Sequence, residues 1–310
     1  MEIPNPKGYN LITILGPTAG GKTAVAANLA FAIGGEVISG DSRQVYRGMD
    51  LGTGKDLHDY TVNGKQVPYH LIDIVDAGYQ LNVYEYQQHF VEAFNDISGR
   101  GAFPILCGGS GMYIEAAIKG YKLIAVPENP ELRGKLASLE MHELEEMLKS
   151  YKQLHNQTDT VNRKRLVRAI EIEEYYARVG EGEHSYPRLQ NIIFGIAFPR
   201  HQQRERITQR LKQRLDEGMV DEVKSLLDKG IKPPELIYYG LEYKWITRFL
   251  MGEIGYHEMF TGLNTAIHQF GKRQMTWFRK MERSGIPIHW IDGNIPLEQK
   301  IEAILTLIGK

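Results

Sequence analysis

A single cysteine, Cys107, is all that the 310 residues contain. An internal disulfide is therefore excluded, and so is a zinc site built on thiolates. No apolar run reaches the roughly 20 residues that a helix needs to cross a bilayer. The opening Met1-Glu2-Ile3-Pro4-Asn5-Pro6 has neither the basic start nor the apolar centre of a secretory signal. A cytoplasmic protein with no membrane association is the expectation. Net charge is scarce too. The 37 Lys and Arg against 38 Asp and Glu leave −1, so the chain is not a globally basic nucleic-acid binder. That exclusion applies only to the average, because the cations are unevenly placed. The sequence has no internal repeat and no low-complexity tract. Its length suits one large domain or two modest ones.

Residues 11–23 read Leu-Ile-Thr-Ile-Leu-Gly-Pro-Thr-Ala-Gly-Gly-Lys-Thr. An apolar strand runs into Gly16-Pro17-Thr18-Ala19-Gly20-Gly21-Lys22-Thr23, the pattern of a phosphate-cradling loop. Gly16, Gly20 and Gly21 let backbone N–H groups close on anionic oxygens. Lys22 adds a point charge, and Thr23 offers a hydroxyl to a magnesium ion. A helix of small and apolar residues from about Thr23 to Ala32 follows, turning its positive end to the same anion. The loop indicates a diphosphate or a triphosphate without distinguishing them.

Strand candidates Leu11–Leu15, Glu36–Ser39, His70–Val75 and Pro104–Cys107 alternate with helical stretches, of which Tyr84–Ile97 is one. This order predicts an α/β fold: a parallel sheet with helices on both faces and ligands at the carboxyl ends of its strands. After Tyr121 the pattern turns helical, with Leu136, Leu139, Leu144, Met147 and Leu148 at helical spacing. A polar, Gly-rich stretch from Gly180 to Pro187 ends it. Asn191–Phe198 and Ile288–Ile291 return as strands, and long helices are predicted over Gln202–Lys229 and Tyr256–Arg283. The expected organisation is a core from residues 1–120 and 190–310, with a helical insert at 121–189.

Three further constellations stand out. Asp41, in Ser39-Gly40-Asp41-Ser42-Arg43-Gln44, follows the second strand and so falls on the same rim as the loop. It reads either as a site carboxylate, for metal or proton, or as a helix cap. Cys107-Gly108-Gly109-Ser110-Gly111 ends another strand, as an anion nest or as a turn that needs glycine. Cations gather at Arg163-Lys164-Arg165 with Arg168, at Arg206, Arg210 and Arg214, and at Lys272-Arg273-Gln274 through Trp277, Arg279 and Lys280. Such clusters, one carrying aromatics, favour a polyanion larger than a nucleotide, such as single-stranded RNA.

Together these segments resemble the tRNA dimethylallyltransferase (tRNA isopentenyltransferase) family over nearly the whole chain. The matching segments are Gly16–Thr23, Asp41-Ser42 with Tyr46–Thr53, His70–Asp73, Gly108–Ile114, Arg165–Glu171 and Lys272–Arg279, in the family's order. The resemblance implies a core like that of P-loop nucleoside triphosphatases. It also implies transfer of a dimethylallyl group from dimethylallyl diphosphate to N6 of adenosine-37 of tRNA, with magnesium required and diphosphate released. The loop residues Gly16 to Thr23 then hold the donor with Arg210 and Arg206, and Thr23 holds the metal. Asp41 is the general base, and Lys22, Thr23, Arg210 and Ser110 complete the catalytic set. Asp41, Ser42, Arg43, Gln44, Lys164, Arg165, Arg168, Lys272, Arg273, Gln274, Trp277 and Arg279 bind the anticodon stem-loop. The expected species is a monomer.

Two positions depart from the family pattern. Ser110 replaces a threonine and keeps its hydroxyl. Glu242, in Tyr239-Gly240-Leu241-Glu242-Tyr243-Lys244, puts an anion where glycine is usual, on the side expected to face RNA, as in a divergent second copy. The alternative readings are a transferase acting on free adenine nucleotides, a P-loop small-molecule kinase that uses ATP, and an RNA-binding relative without activity.

Overall fold

The computed structural model describes residues 6, 8–151, 162–180 and 186–309. The strands are β1 (Leu11–Leu15), β2 (Gly35–Ser39), β3 (Tyr46–Arg47), β4 (Thr61–Val62), β5 (Lys65–Gln66), β6 (Tyr69–His70), β7 (Val75–Asp76), β8 (Phe103–Gly108), β9 (Asn191–Ala197) and β10 (His289–Asp292). The first helices are α1 (Lys22–Ile33), α2 (Val83–Gly99), α3 (Gly111–Lys119), α4 (Pro130–Leu136), α5 (Met141–Tyr151) and α6 (Arg163–Val179). After β9 come α7 (Arg200–Asp216), α8 (Met219–Asp228), α9 (Pro233–Tyr239), α10 (Leu241–Leu250), α11 (Tyr256–Arg283) and α12 (Leu297–Leu307). The chain divides into two compact units, residues 1–120 with 187–310, and residues 121–186.

The larger unit is built on a six-stranded sheet in the order β10-β9-β1-β8-β2-β6, with every pairing parallel. β1, β2, β8 and the middle of β9 are buried on both sides, which is why they read as continuous apolar runs. Ile12, Ile14, Val37, Ile105 and Phe194 point to one face and pack with α1 and Ile304 of α12. Burying each such side chain stabilises the fold by about 1.5–3 kcal/mol. On the other face Leu106 and Ile114 of α3 close over Gly40. The P-loop nucleoside triphosphatase-like core expected from the sequence is present. β1 is central, between β8 and β9, so the loop that leaves its carboxyl end opens into the middle of the sheet's rim.

Some local expectations do not hold. His70–Val75 is not one strand: only Tyr69–His70 pairs with β2, while Val75–Asp76 pairs with β3 in a separate ribbon. Leu71 and Asp73 between them have φ of 61° and 57°, a left-handed conformation that ends an extended segment. The helix predicted over Gln202–Lys229 is two helices, broken at Gly218 with φ of 99°. Residues 181–185 of the Gly-rich stretch lie outside the described residues.

The smaller unit carries its own core of Leu132, Leu136, Leu144, Leu148, Leu166, Ala169 and Ile170 from α4, α5 and α6. Glu171 is buried at its edge. It accepts two bonds from Arg133 at 3.0 Å, one from the Asn129 amide at 2.6 Å, and one from Arg168. Arg163 donates to the carbonyls of Leu136, Ala137 and Leu139, closing the end of α4.

Candidate active site

Gly16 begins the turn after β1. A Cβ there would lie 2.4 Å from the Ile196 carbonyl oxygen of β9, so only glycine lets the loop leave beside that strand. Gly21, at φ 68°, takes the last left-handed step into α1 and leaves the amides at the helix start facing the rim. Gly21 makes no side-chain cap to them, and this is the electrostatic condition for an anion. Lys22 folds back onto the Pro17 carbonyl at 2.9 Å. Burial lowers the pKa of its ammonium, with the Asp41 carboxylate opposing that shift in part.

The loop is held from outside. Gln274 of α11 accepts from the Thr18 amide at 2.8 Å and donates to the Gly109 carbonyl at 2.9 Å. It thereby ties the phosphate loop to the second glycine turn. From α7, Gln203 donates to the Thr18 carbonyl, Arg206 to the Ala19 carbonyl at 3.0 Å, and Arg210 to the Thr18 hydroxyl. Arg206 also lies 4.3 Å over the Phe198 ring. Two guanidiniums one helical turn apart are thus aimed at the loop.

Asp41 begins the turn after β2. Its carboxylate accepts from the Arg43 amide at 3.2 Å, and its own amide donates to the Ser39 hydroxyl at 3.3 Å. Ser110 accepts from the Ser42 amide at 3.0 Å and lies 3.1 Å from the Ser42 hydroxyl, so the second glycine turn braces the first. Gln44 spans Ser39 at 2.8 Å and the Gly54 carbonyl at 3.0 Å. Burial raises the Asp41 carboxyl pKa, while the Arg43 amide and the charges of Lys22, Arg43 and Arg210 hold part of that rise back. An ionised carboxylate kept proton-hungry in this way suits a base.

Thr18, Gly20, Gly21, Lys22, Thr23, Asp41, Ser42, Arg43, Gln44, Arg210 and Gln274 all line one cleft of about 290 Å³. Ala19 and Arg206 line the neighbouring groove with Arg210 and Arg214. Ser110 and Trp277 stand behind the cleft wall: the Trp277 indole N–H donates to Glu115 at 2.9 Å, and its ring packs where a Gly111 Cβ would be. Along α11, Lys272, Arg273 and Arg279 are exposed, whereas Gln274 is buried. Arg43 lies over the Tyr238 and Tyr239 rings, at 5.7 and 5.5 Å. In the smaller unit Lys164 and Arg165 are exposed. Arg168 there spends its guanidinium on Glu171 and the Val126 carbonyl.

Several residues of the site gave no sequence signal. Glu222 of α8 accepts from the amides of Asp50, Leu51 and Gly52 at 2.7, 2.7 and 3.0 Å and from the Tyr243 hydroxyl at 2.7 Å. It holds the whole turn after β3. Asp56 pairs with Arg214 at 2.9 Å and stands 3.9 Å from Arg210. Lys55, fully buried, donates to the Tyr46 carbonyl at 2.6 Å and pairs with Asp50 at 2.7 Å and with Asp73. Burial, with the Arg214 charge beside it, lowers the pKa of Arg210 to about 10. Glu242, expected toward RNA, instead lines the cleft with these arginines.

A family model described as IPP transferase matches residues 44–281. A tRNA dimethylallyltransferase 2 of Bacteroides fragilis is 60% identical over 296 residues, 96% of this chain and 97% of that protein. A tRNA dimethylallyltransferase 1 of Parabacteroides distasonis is 57% identical over 98% of this chain and 99% of its own length. The crystal structure of a full-length tRNA isopentenylpyrophosphate transferase from Bacillus halodurans superposes with a TM-score of 0.70. It is 31% identical and covers 97% of this chain and 95% of that one.

Proposed function

Because the chain belongs to the tRNA dimethylallyltransferase family, we propose that its cleft moves the dimethylallyl group from dimethylallyl diphosphate to N6 of adenosine-37 in a tRNA anticodon stem-loop. The protein is a prenyl transferase that acts on tRNA. The observation that carries the finer reading is that Asp41 and the phosphate loop, with Arg210, open on one cleft from the carboxyl ends of β2 and β1, which flank β8.

Transfer breaks the allylic C–O bond, whose electrons go to the diphosphate, and forms a C–N bond to N6. Lys22, Arg210 and the amides of Gly20 to Thr23 stand where the leaving charge grows, and fixed donors of this kind stabilise it without reorganising. Asp41 accepts a hydrogen bond from the N6 amine, raising its nucleophilicity, and takes the proton as the bond forms. Reaching N6 requires the adenosine to be flipped out, at a cost of a few kcal/mol that stacking and hydrogen bonds return. Arg43, which lines the cleft and lies over Tyr238, offers the means there.

The site also fits magnesium. Among the described residues no three His, Cys, Asp or Glu side chains form a metal cage. Thr23 lines the cleft, and its hydroxyl has no hydrogen-bond partner among the described residues. A hard ion held by one hydroxyl and the phosphate oxygens is magnesium's habit. When bound it neutralises charge on the leaving group.

In this reading the cations Lys164, Arg165, Lys272, Arg273 and Arg279 hold the stem-loop backbone, and the enzyme works as a cytoplasmic monomer. Among the described residues no helix is long and apolar enough to cross a membrane. The test incubates the protein with an unmodified anticodon stem-loop, with AMP, and with labelled dimethylallyl diphosphate or ATP. Label passing from the allylic donor to the stem-loop adenosine is the expected result. Prenylation of AMP alone, or phosphate transfer from ATP, would overturn the reading.

A further inference from the structure

The charged groups lining the cleft are Lys22, Arg43, Arg210 and Arg214 against Asp41, Asp56, Asp59 and Glu242, four cations facing four carboxylates. A diphosphate ester adds up to three negative charges to this balanced set. Three of the carboxylates are engaged. Asp56 is paired with Arg214, Asp59 with His58 at 3.4 Å, and Asp41 accepts the Arg43 amide. Glu242 differs. It sits in the first turn of α10 with no ion pair among the described residues, in the same cavity wall as Arg210 and Arg214. Gly240 before it gives no side-chain cap, and Leu241 beside it holds φ at 38°, an uncommon conformation for leucine.

We propose that Glu242 couples donor binding to proton uptake: its carboxylate balances Arg210 and Arg214 until the diphosphate takes over those cations, and it then stands in the cleft as a neutral acid. The inference rests on the diphosphate reading of the cleft. The proton comes from solvent and returns there when diphosphate leaves, so no other reactant is needed. At Asp41 the Arg43 amide and the charges of Lys22 and Arg43 hold back the rise that burial causes, which keeps its carboxylate available to N6. The groups facing Glu242 set the balance. Burial raises its pKa to about 7, its own backbone amide and the Arg214 and Arg210 charges oppose the rise, and Asp41 adds to it. The incoming diphosphate, a net anion even with its magnesium, pushes in the same direction as burial.

The experiment is calorimetric titration of the full chain with inorganic diphosphate and magnesium, in buffers of different ionisation enthalpy, at pH 6, 7 and 8. Wild type is compared with Glu242→Gln and Glu242→Asp. The excess of protons taken up by wild type over Glu242→Gln is expected to be about half a proton at pH 7 and to approach one at pH 8. Glu242→Gln should bind about tenfold more tightly than wild type at pH 8 and equally at pH 6, where both side chains are neutral. Glu242→Asp restores a pH-dependent difference, which a residue that only shapes the start of α10 would not do. Equal proton numbers and parallel pH profiles for wild type and Glu242→Gln overturn the coupling. Failure of wild type to bind diphosphate at all removes the diphosphate reading, and this inference with it.

Discussion

Replacing Asp41 by asparagine separates chemistry from binding. In wild type one carboxylate oxygen accepts the Arg43 amide. The other is free to accept from N6. Asparagine satisfies Arg43 only by turning its carbonyl oxygen there, which leaves its NH₂ facing the amine. The substitution therefore removes the base and sets a donor against a donor. Loss of a positioned base costs about 10²–10⁴-fold, and the mismatched donor places the expected drop in the upper half, about 10³–10⁴-fold or 4–5.5 kcal/mol of barrier. Stability should move the other way. Burial raises the Asp41 carboxyl pKa above its unfolded value, so the ionised form is disfavoured in the folded chain. Above both pKa values asparagine escapes that penalty, and below the ordinary carboxylate range the two proteins converge. At pH 8 the variant should melt at or above the wild-type temperature. Single-turnover transfer with enzyme in excess over a labelled stem-loop reads the chemical step. Wild-type rates should climb with pH until Asp41 is ionised and then level off, whereas the variant stays flat. A variant that matches wild type, or that loses only donor binding, would refute the assignment.

Lys22→Ala should keep its fold and lose about 10²–10³-fold in turnover at saturating magnesium; steady-state assays with dimethylallyl diphosphate check it. Gln274→Ala unties the Thr18 amide and the Gly109 carbonyl, and leaving such groups unmet should cost about 2–3 kcal/mol by chemical denaturation, with donor affinity falling as the loop loosens. Stem-loop affinity should fall steeply with salt and weaken on reversal of Arg165 or Arg273 to glutamate, as filter binding over a salt series would show. Arg168→Glu should instead unsettle the 121–186 unit itself, because it places a second anion on the buried Glu171; a lower melting transition for that variant, absent in Arg165→Glu, is the signature.

What could be read in the sequence was what is local. The strand, glycine loop and helix of residues 11–33 declare themselves because each residue's conformational demand is met by its neighbours. The same holds for the strand ends at Asp41 and Gly109. Contacts made at a distance left no such mark. Glu222 looks like any charge on an amphipathic helix until the turn it caps, some 170 positions earlier, is folded against it. Gln274 stands among cations in the sequence, yet it shares a helical face with Gly271, Phe278 and Met281, all buried. Spacing of three and four residues marks that face, but a polar side chain on it gives no hint that its partners are backbone groups of two other loops. The Leu71 and Asp73 reversals were hidden for a related reason. An apolar run says strand, whereas the folded chain turns aside where Asp73 meets buried Lys55 and its amide meets the Gln44 carbonyl.

The solitary cysteine has a practical consequence. Cys107 is buried at the end of β8, and burial pushes its thiol up to about 12. At pH 7.5 only on the order of 10⁻⁵–10⁻⁴ of it is thiolate, the form that reacts. The native chain is therefore nearly silent to maleimide. A cysteine introduced at exposed Tyr238, or at exposed Arg279 on α11, can carry a fluorophore with no need to remove Cys107 first. The protein comes ready for watching an RNA arrive, one dye at a time.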